Sequence, residues 1–201
     1  MLENSLPLGI HQALPLTLAN IAPVGTETLT LNDCVDRISA SSLHALVDSP
    51  SIDASLKDGY AVMSRDVEGA CSSRPVPLQV TGLSAAGGEE DLDIVSGTAV
   101  RVLSGGKIPE NADAVLSEEF TRQILSSHRI EALNSAEPGR NILPRGIDVQ
   151  VGQLIAQPGQ VLTPALVGFL AAAGHSQVAA YQRPKVTIVA TGDEVVIPGR
   201  P

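Results

Sequence analysis

Aromatic residues are nearly missing from this 201-residue chain: tryptophan is absent, and Tyr60, Phe120, Phe169 and Tyr181 are the whole complement. So few ring faces offer no platform on which successive bases can stack. Positive charge is scarce as well, with 13 Lys and Arg against 22 Asp and Glu and a net charge of -9. That balance repels phosphate backbones, so general nucleic-acid binding is not expected, and an anionic ligand has to be held by a local cation. Lys57, Arg101, Lys107, Arg140 and Arg145 are the candidates. The two cysteines, Cys34 and Cys71, lie far apart without a second pair, which argues against a disulfide framework or a zinc knuckle and fits a cytoplasmic protein. His11, His44, His128 and His175 are never at metal-ligand spacing from one another and receive no role. No apolar run approaches the roughly 20 residues of a membrane span. The opening "MLENSLPLGIHQALPLTL" carries Glu3, Pro7 and Pro15 ahead of the first basic residue, Arg37, unlike a signal peptide.

What is present is aliphatic sequence, enough to bury a core in one large domain or two small ones. Residues 26 to 47, "TETLTLNDCVDRISASSLHALV", predict a short helix, with Asn32 as cap and Leu31, Val35 and Ile38 on one side. From 51 to about 146 the pattern turns to short period-two segments between Gly, Pro, Ser and Asn: Val76, Leu78 and Val80, then Val100 and Val102, then Ile130 and Ala132. A second helix is expected after Thr163 as cap and Pro164 as first helical residue. Leu166, Val167, Leu170 and Ala171 would form its apolar face and Gly174 its stop. The unbroken "VTIVA" after Pro184 reads as a strand buried on both faces. One such strand without a parallel partner leaves ladder amides unpaired, so the chain is expected to be the N-terminal piece of a longer protein; an edge strand or exposed tail is the alternative.

Four stretches place charge or tight turns where chemistry could use them. In "SIDASLKDGYAV" (51 to 62), Asp53, Ser55 and Asp58 offer hard oxygens and Lys57 one mobile cation, a set that suits Mg²⁺ with a phosphate-bearing ligand. The pair Asp58-Gly59 is equally a common tight turn. "LSGGKIP" is not a phosphate loop, because Arg101 stands where its first glycine belongs and Ile108 where Ser or Thr belongs. It leaves a strand end followed by Ser104, Gly105 and Gly106, where backbone can approach another surface, or simply a glycine-permitted turn. Asp148, near Arg145 and Gly146, and the pair Asp193 and Glu194 are further acidic positions, each also compatible with a solvated turn. No Ser-His-Asp or Cys-His arrangement follows from the spacing.

Four blocks in order are more specific than any one of them. "DASLKDGYAV", "VRVLSGGKIPENADAVL", "GRNILPRGIDVQVGQLI" and "RPKVTIVATGDEVVIPGRP" resemble, over about residues 27 to 201, the signatures of the molybdopterin molybdenumtransferases, the family that includes the gephyrin E domain. The resemblance implies an α+β multidomain fold. Residues 1-50 and 147-182 would form a discontinuous, mixed helical and strand linker domain, with a β-rich domain inserted at 51-146 and the first strand of an α/β molybdopterin-binding domain at 183-201.

It further implies an enzyme that joins molybdate to adenylated molybdopterin with Mg²⁺ and releases AMP, working as a homodimer, with this stretch alone inactive. Matched position by position, Asp58, Ser104, Asp148 and Glu194 are the implied catalytic residues. Asp58 is also the implied metal ligand, and Lys57, Gly59, Tyr60, Gly105 and Arg145 are the implied ligand contacts. Lys57, Ala54, Gly106 and Ile147 depart from the family pattern, as do Leu143 and Pro144 before Arg145. A non-catalytic pterin-binding or assembly scaffold of the same family is the alternative.

Overall fold

The computed structural model describes residues 9–88, 91–124, 127–190, 192, 194–196 and 198–199. In chain order it holds α1 (Ile10–Ala19), β1 (Thr26–Thr30), β2 (Leu43–His44), β3 (Ala54–Ser55), β4 (Gly59–Val62), β5 (Cys71–Ser84) and β6 (Thr98–Val102). There follow β7 (Ala114–Ser117), β8 (Thr121–Ile124), β9 (Arg129–Asn134), β10 (Ile142–Leu143), β11 (Leu154–Ala156), α2 (Pro164–Ala172) and β12 (Gln177–Tyr181). The fold is β-rich with few helices, and its contacts divide it into two units.

The larger unit takes residues 44–155 and 169–175. Its centre is a six-stranded sheet of order β7-β4-β6-β5-β9-β8, antiparallel except for the parallel pair β5-β6. Alternation along each strand sends side chains to two faces. One face collects Tyr60, Val62, Leu78, Ala99, Leu116, Ile130 and Ala132, all essentially solvent-free. The other collects Ala61, Val100, Val102 and Val115 against Ile94 and Ile108. Each fully buried Val, Leu or Ile contributes about 1.5–3 kcal/mol, so the two layers hold the sheet from both sides. The curl of the sheet is visible in one bond: the Gln123 amide on β8 donates to the Tyr60 hydroxyl on β4 at 3.4 Å, although three strands separate them in the order. The period-two segments read from the sequence are the strands of this sheet.

The smaller unit takes residues 1–43, 156–168 and 176–201. Here the structure corrects the helix expected over 26 to 47. Thr26–Thr30 pairs antiparallel with β12 in register Thr26↔Tyr181 to Thr30↔Gln177, and only Leu31–Asp33 turns as a 3-10 helix. Alternating Thr residues suit a half-buried pleat, and β12 supplies the ladder partner that overrides the helical spacing. Asn32 caps nothing; Thr30 Oγ1 donates to Asp33 Oδ2 at 2.6 Å instead. Arg37, 9% exposed, ties the unit together by donating to the Tyr181 carbonyl at 2.7 Å and pairing with Glu27.

Helix α2 begins as expected: the Leu166 amide donates to Thr163 Oγ1 at 3.3 Å, and Gly174 follows the helix at φ +93. Its buried member is Leu170, while Ala171 of the expected face is exposed. Residues 182–190 form no strand, and Val186, Ile188 and Val189 are 81%, 92% and 72% exposed. The strand expected in "VTIVA" is therefore not formed within this chain, because no neighbouring ladder is available to it. Thr191 and Asp193 lie outside the described residues.

Candidate functional site: a carboxylate clamped at a strand end

Antiparallel pairing sets Gly59 opposite Val102, so the residue before β4 and the loop after β6 emerge together at one end of these strands. There Asp58 Oδ1 accepts two hydrogen bonds from one residue, from the Ser104 amide at 2.7 Å and the Ser104 hydroxyl at 2.8 Å. Among the described residues no hydrogen bond reaches Oδ2. The Glu118 amide holds the Asp58 carbonyl at 3.1 Å, fixing the turn from the third strand as well. Donation by the Ser104 amide, then by its hydroxyl, keeps the Asp58 carboxyl below its ordinary range against an opposing desolvation, with the charge of Arg101 the least of the causes. Asp58 is thus an oriented, exposed and ionised carboxylate at neutral pH.

Glycines make the approach possible. A Cβ on Gly59 would lie 2.9 Å from Ser117 Cα and 3.0 Å from the Leu116 carbonyl carbon, so β4 can pair this closely with β7 only without a side chain there. A Cβ on Gly106 would lie 2.7 Å from the Ser84 carbonyl oxygen. Gly105 adopts φ +82, the left-handed region, which lets the loop turn so that its amide donates to the Ser55 carbonyl at 2.8 Å.

The other acids and cations are placed differently. Asp53 and Ser55, grouped with Asp58 as hard donors on the sequence, are consumed by local structure. Asp53 Oδ1 accepts from the Arg145 amide at 2.7 Å, and the buried Ser55 hydroxyl donates to the Lys57 carbonyl at 2.6 Å. Lys57 is exposed and forms no ion pair among the described residues. The Arg145 side chain donates to Asp48 Oδ2 at 2.6 Å, while Asp48 Oδ1 accepts from the Val151 amide at 2.8 Å. These bonds, the Val151 amide first, hold the Asp48 carboxyl below its usual range. Asp148 is exposed, and its amide donates to the Ser49 carbonyl at 3.0 Å, at the Ser49-Val149 bridge rather than at Asp58. Glu194 is exposed and belongs to the smaller unit. Tyr60 is 2% exposed, its ring in the sheet core and only its hydroxyl within reach of Gln123.

Asp48, which holds the Arg145 side chain and the Val151 amide, and Glu118, which holds the Asp58 carbonyl, were missed on the sequence. The signal for Asp48 was the turn-forming Asp-Ser-Pro in "VDSPS". Glu118 contributes through its amide, which no side-chain pattern reports. Among the described residues no group of three His, Cys, Asp or Glu side chains converges as a metal cage.

A carboxylate clamped by one serine at the end of two paired strands marks the candidate site, and comparison with known proteins gives the family of the chain. The family model for the MoeA N-terminal region (domain I and II) matches residues 8–174, and the chain belongs to that family. It is 35% identical over 179 residues to a molybdopterin molybdenumtransferase of Haemophilus influenzae, covering 89% of this chain and 43% of that protein. With the molybdopterin molybdenumtransferase of Staphylococcus aureus (strain Mu50) it shares 28% identity over 196 residues, 98% of this chain and 46% of that protein. A crystal structure of the molybdopterin biosynthesis MoeA protein from Pyrococcus horikosii superposes with a TM-score of 0.87 at 30% identity, covering 96% of this chain and 49% of that one. The chain spans slightly less than half the length of these relatives. Its family and relatives place it in molybdenum cofactor biosynthesis.

Proposed function

We propose that this chain is the N-terminal portion of an enzyme that inserts molybdate into adenylated molybdopterin, releasing AMP, and that Asp58 and Ser104 are its contribution to the reacting centre. The observation that carries the reading is the double donation of Ser104 to a single oxygen of Asp58, which orients the carboxylate and leaves Oδ2 for a ligand. The same arrangement suits Mg²⁺, which takes one or two protein carboxylates, keeps its waters and does not need a preformed protein cage. Bound there, Mg²⁺ would supply charge stabilisation to the adenylate phosphate and polarise a water beside it.

The residues of this chain do the positioning. Ser104 fixes the carboxylate rotamer and keeps it ionised, Gly59 and Gly105 allow the two loops to meet, and Lys57, exposed one residue away, offers its ammonium to an anionic substrate. Asp148 and Glu194 are assigned to the complete site only on their family match, together with a homodimer in which the remaining part of the protein supplies the pterin pocket. The discontinuous domain, 1-50 with 147-182 around 51-146, belongs to the same proposal.

The test is molybdate-dependent AMP release from adenylated molybdopterin by the native-length polypeptide. Ser104→Ala should raise the Mg²⁺ concentration needed for half-maximal rate by about 10–100-fold, the usual effect of removing an outer partner of a metal ligand. Asp58→Asn, which keeps shape and removes charge, should reduce the rate at saturating Mg²⁺. A parental rate and Mg²⁺ dependence in Asp58→Asn would remove Asp58 from the reaction and favour the scaffold reading.

A further inference from the structure

Asp58 and Ser104 meet only if the turn before β4 and the loop after β6 are held against each other, and the hydrogen bonds behind the clamp converge on one residue, Ser55. Its backbone lies in β3, which is paired on both edges. On one edge the Ser55 amide donates to the Gly106 carbonyl at 2.9 Å, the Gly105 amide donates to the Ser55 carbonyl at 2.8 Å, and the Ile108 amide donates to the Asp53 carbonyl at 3.0 Å. On the other edge Ser55 is opposed to Ile142 and Ala54 to Leu143 in β10. Ser55 is 3% exposed, so it is held on all sides.

The side chain adds a link that the β3 backbone does not make. Ser55 Oγ donates to the Lys57 carbonyl at 2.6 Å and accepts from the Lys57 amide at 3.3 Å, a local turn of the kind serine forms two residues on. Two of the Ser55 bonds fall on peptide groups that the clamp residues share. The Lys57 carbonyl belongs to the peptide joining Lys57 to Asp58, and the Gly105 amide belongs to the peptide joining Ser104 to Gly105. A peptide is planar, so a hydrogen bond to one of its atoms orients the whole unit. The Ser55 hydroxyl therefore fixes the plane that enters Asp58, and the Ser55 carbonyl fixes the plane that leaves Ser104. Between these two planes the Asp58 carboxylate meets the Ser104 amide and hydroxyl at 2.7 and 2.8 Å.

We propose that Ser55 is a positioning residue for the candidate site: its buried hydroxyl sets the direction of the Asp58 carboxylate, and with it the place where Oδ2 meets a ligand. Only the hydroxyl link can be removed by a side-chain substitution, so Ser55→Ala releases the Asp58 half of the clamp and leaves β3 paired on both edges. Ser84 supplies a matched control. It is also buried, and its hydroxyl donates to the Lys107 carbonyl at 2.7 Å, on the loop that follows Ser104 but on a peptide that neither clamp residue shares. The consequence for turnover rests on the transferase reading. The geometric role does not, and it is measured on the 201-residue chain without turnover.

The Asp58 carboxyl is titrated by ¹³C NMR in the parent, Ser55→Ala and Ser84→Ala chains, with urea unfolding recorded alongside to verify folding. Each variant loses one hydroxyl bond to a carbonyl and should lower the urea midpoint by about 0.2–0.7 M. Only Ser55→Ala should let the Asp58 carboxyl rise toward its ordinary value, because the two Ser104 donors that depress it then lose their alignment. In the native-length polypeptide the same variant should raise the Mg²⁺ concentration for half-maximal molybdate-dependent AMP release by about tenfold, with a smaller change in the rate at saturating Mg²⁺. An Asp58 titration in Ser55→Ala that coincides with the parent's, or an equal displacement in Ser84→Ala, would overturn the proposal. A titration that moves only in Ser55→Ala while the Mg²⁺ dependence stays parental supports the positioning role and counts against the transferase reading instead.

Discussion

Gly59→Ala tests whether the site is built by close strand approach. The new methyl would stand 2.9 Å from Ser117 Cα and 3.0 Å from the Leu116 carbonyl carbon. The Leu116 carbonyl oxygen lies closer still, and carbon atoms pack no closer than about 3.5 Å at their optimum, so β4 and β7 must separate by more than about 0.6 Å at this pair. The obstacle is backbone on both sides, with Tyr60, Leu116 and Val115 buried behind it, so no side chain can swing away. Overpacking of this kind costs about 1–3 kcal/mol, and backbone on both sides places this case at the upper end. With a urea slope of about 2–3 kcal/mol per molar, a loss of about 3 kcal/mol lowers the unfolding midpoint by about 1–1.5 M. The same displacement moves Asp58, whose carbonyl is tied to the Glu118 amide across this strand pair. Its carboxyl titration should therefore shift back toward the ordinary value in the same variant. A midpoint within about 0.2 M of the parent, with an unmoved Asp58 titration, would refute the reasoning.

Ser104→Ala removes the hydroxyl donor but keeps the amide, so the Asp58 carboxyl should rise part of the way toward about 3.9, read by ¹³C carboxyl NMR. The sign follows from linkage: a depressed carboxylate stabilises the fold above its unfolded value and loses that contribution as pH falls through its folded value, so the variant should be less sensitive to acid between the two. Arg37→Met keeps the apolar stem and removes the bond to the Tyr181 carbonyl. A loss of about 1–3 kcal/mol is expected in chemical denaturation, with the Glu27 pair adding little because Glu27 is 39% exposed. Thiol labelling should be sequential, Cys71 reacting in the folded protein and Cys34 only on unfolding. Cys71 is exposed with its thiol lowered by Ser73, whereas burial raises the Cys34 thiol, and Ser73→Ala should slow the first step.

The β-rich centre was legible because period two survives in its strands: Val76, Leu78 and Val80 on one strand, and Ile130 and Ala132 on another, stand at alternate positions and face the core. Helix α2 was legible from its ends, Thr163 and Gly174, more than from its apolar face, most of which is not buried. The segment 26–47 misled because Leu31, Val35 and Ile38 have helical spacing while Thr26–Thr30 answers to β12, about 150 residues away in sequence, a partner that no local window contains. The strand in "VTIVA" failed for a related reason: a central-strand composition states a need for neighbours without supplying them.

The charge crowded before β4 shows the same division between what residue type announces and what partners decide. Asp53, Ser55, Lys57 and Asp58 look interchangeable as ligands on the page of sequence, yet two of them are sorted by bonds from distant residues and a third by its own turn. Arg145 claims Asp53, the turn claims Ser55, and Ser104 claims one oxygen of Asp58. Lys57 does not neutralise Asp58, since the hydroxyl and amide of Ser104 dominate that carboxylate's environment. Neighbours in sequence therefore have opposite fates: the lysine stands exposed without an ion pair among the described residues, while the aspartate is fixed. In the function proposed above, a fixed anion with an exposed, unpaired cation beside it would admit a metal and its anionic ligand without first breaking an ion pair, and that arrangement arises because the serine, not the lysine, holds the aspartate.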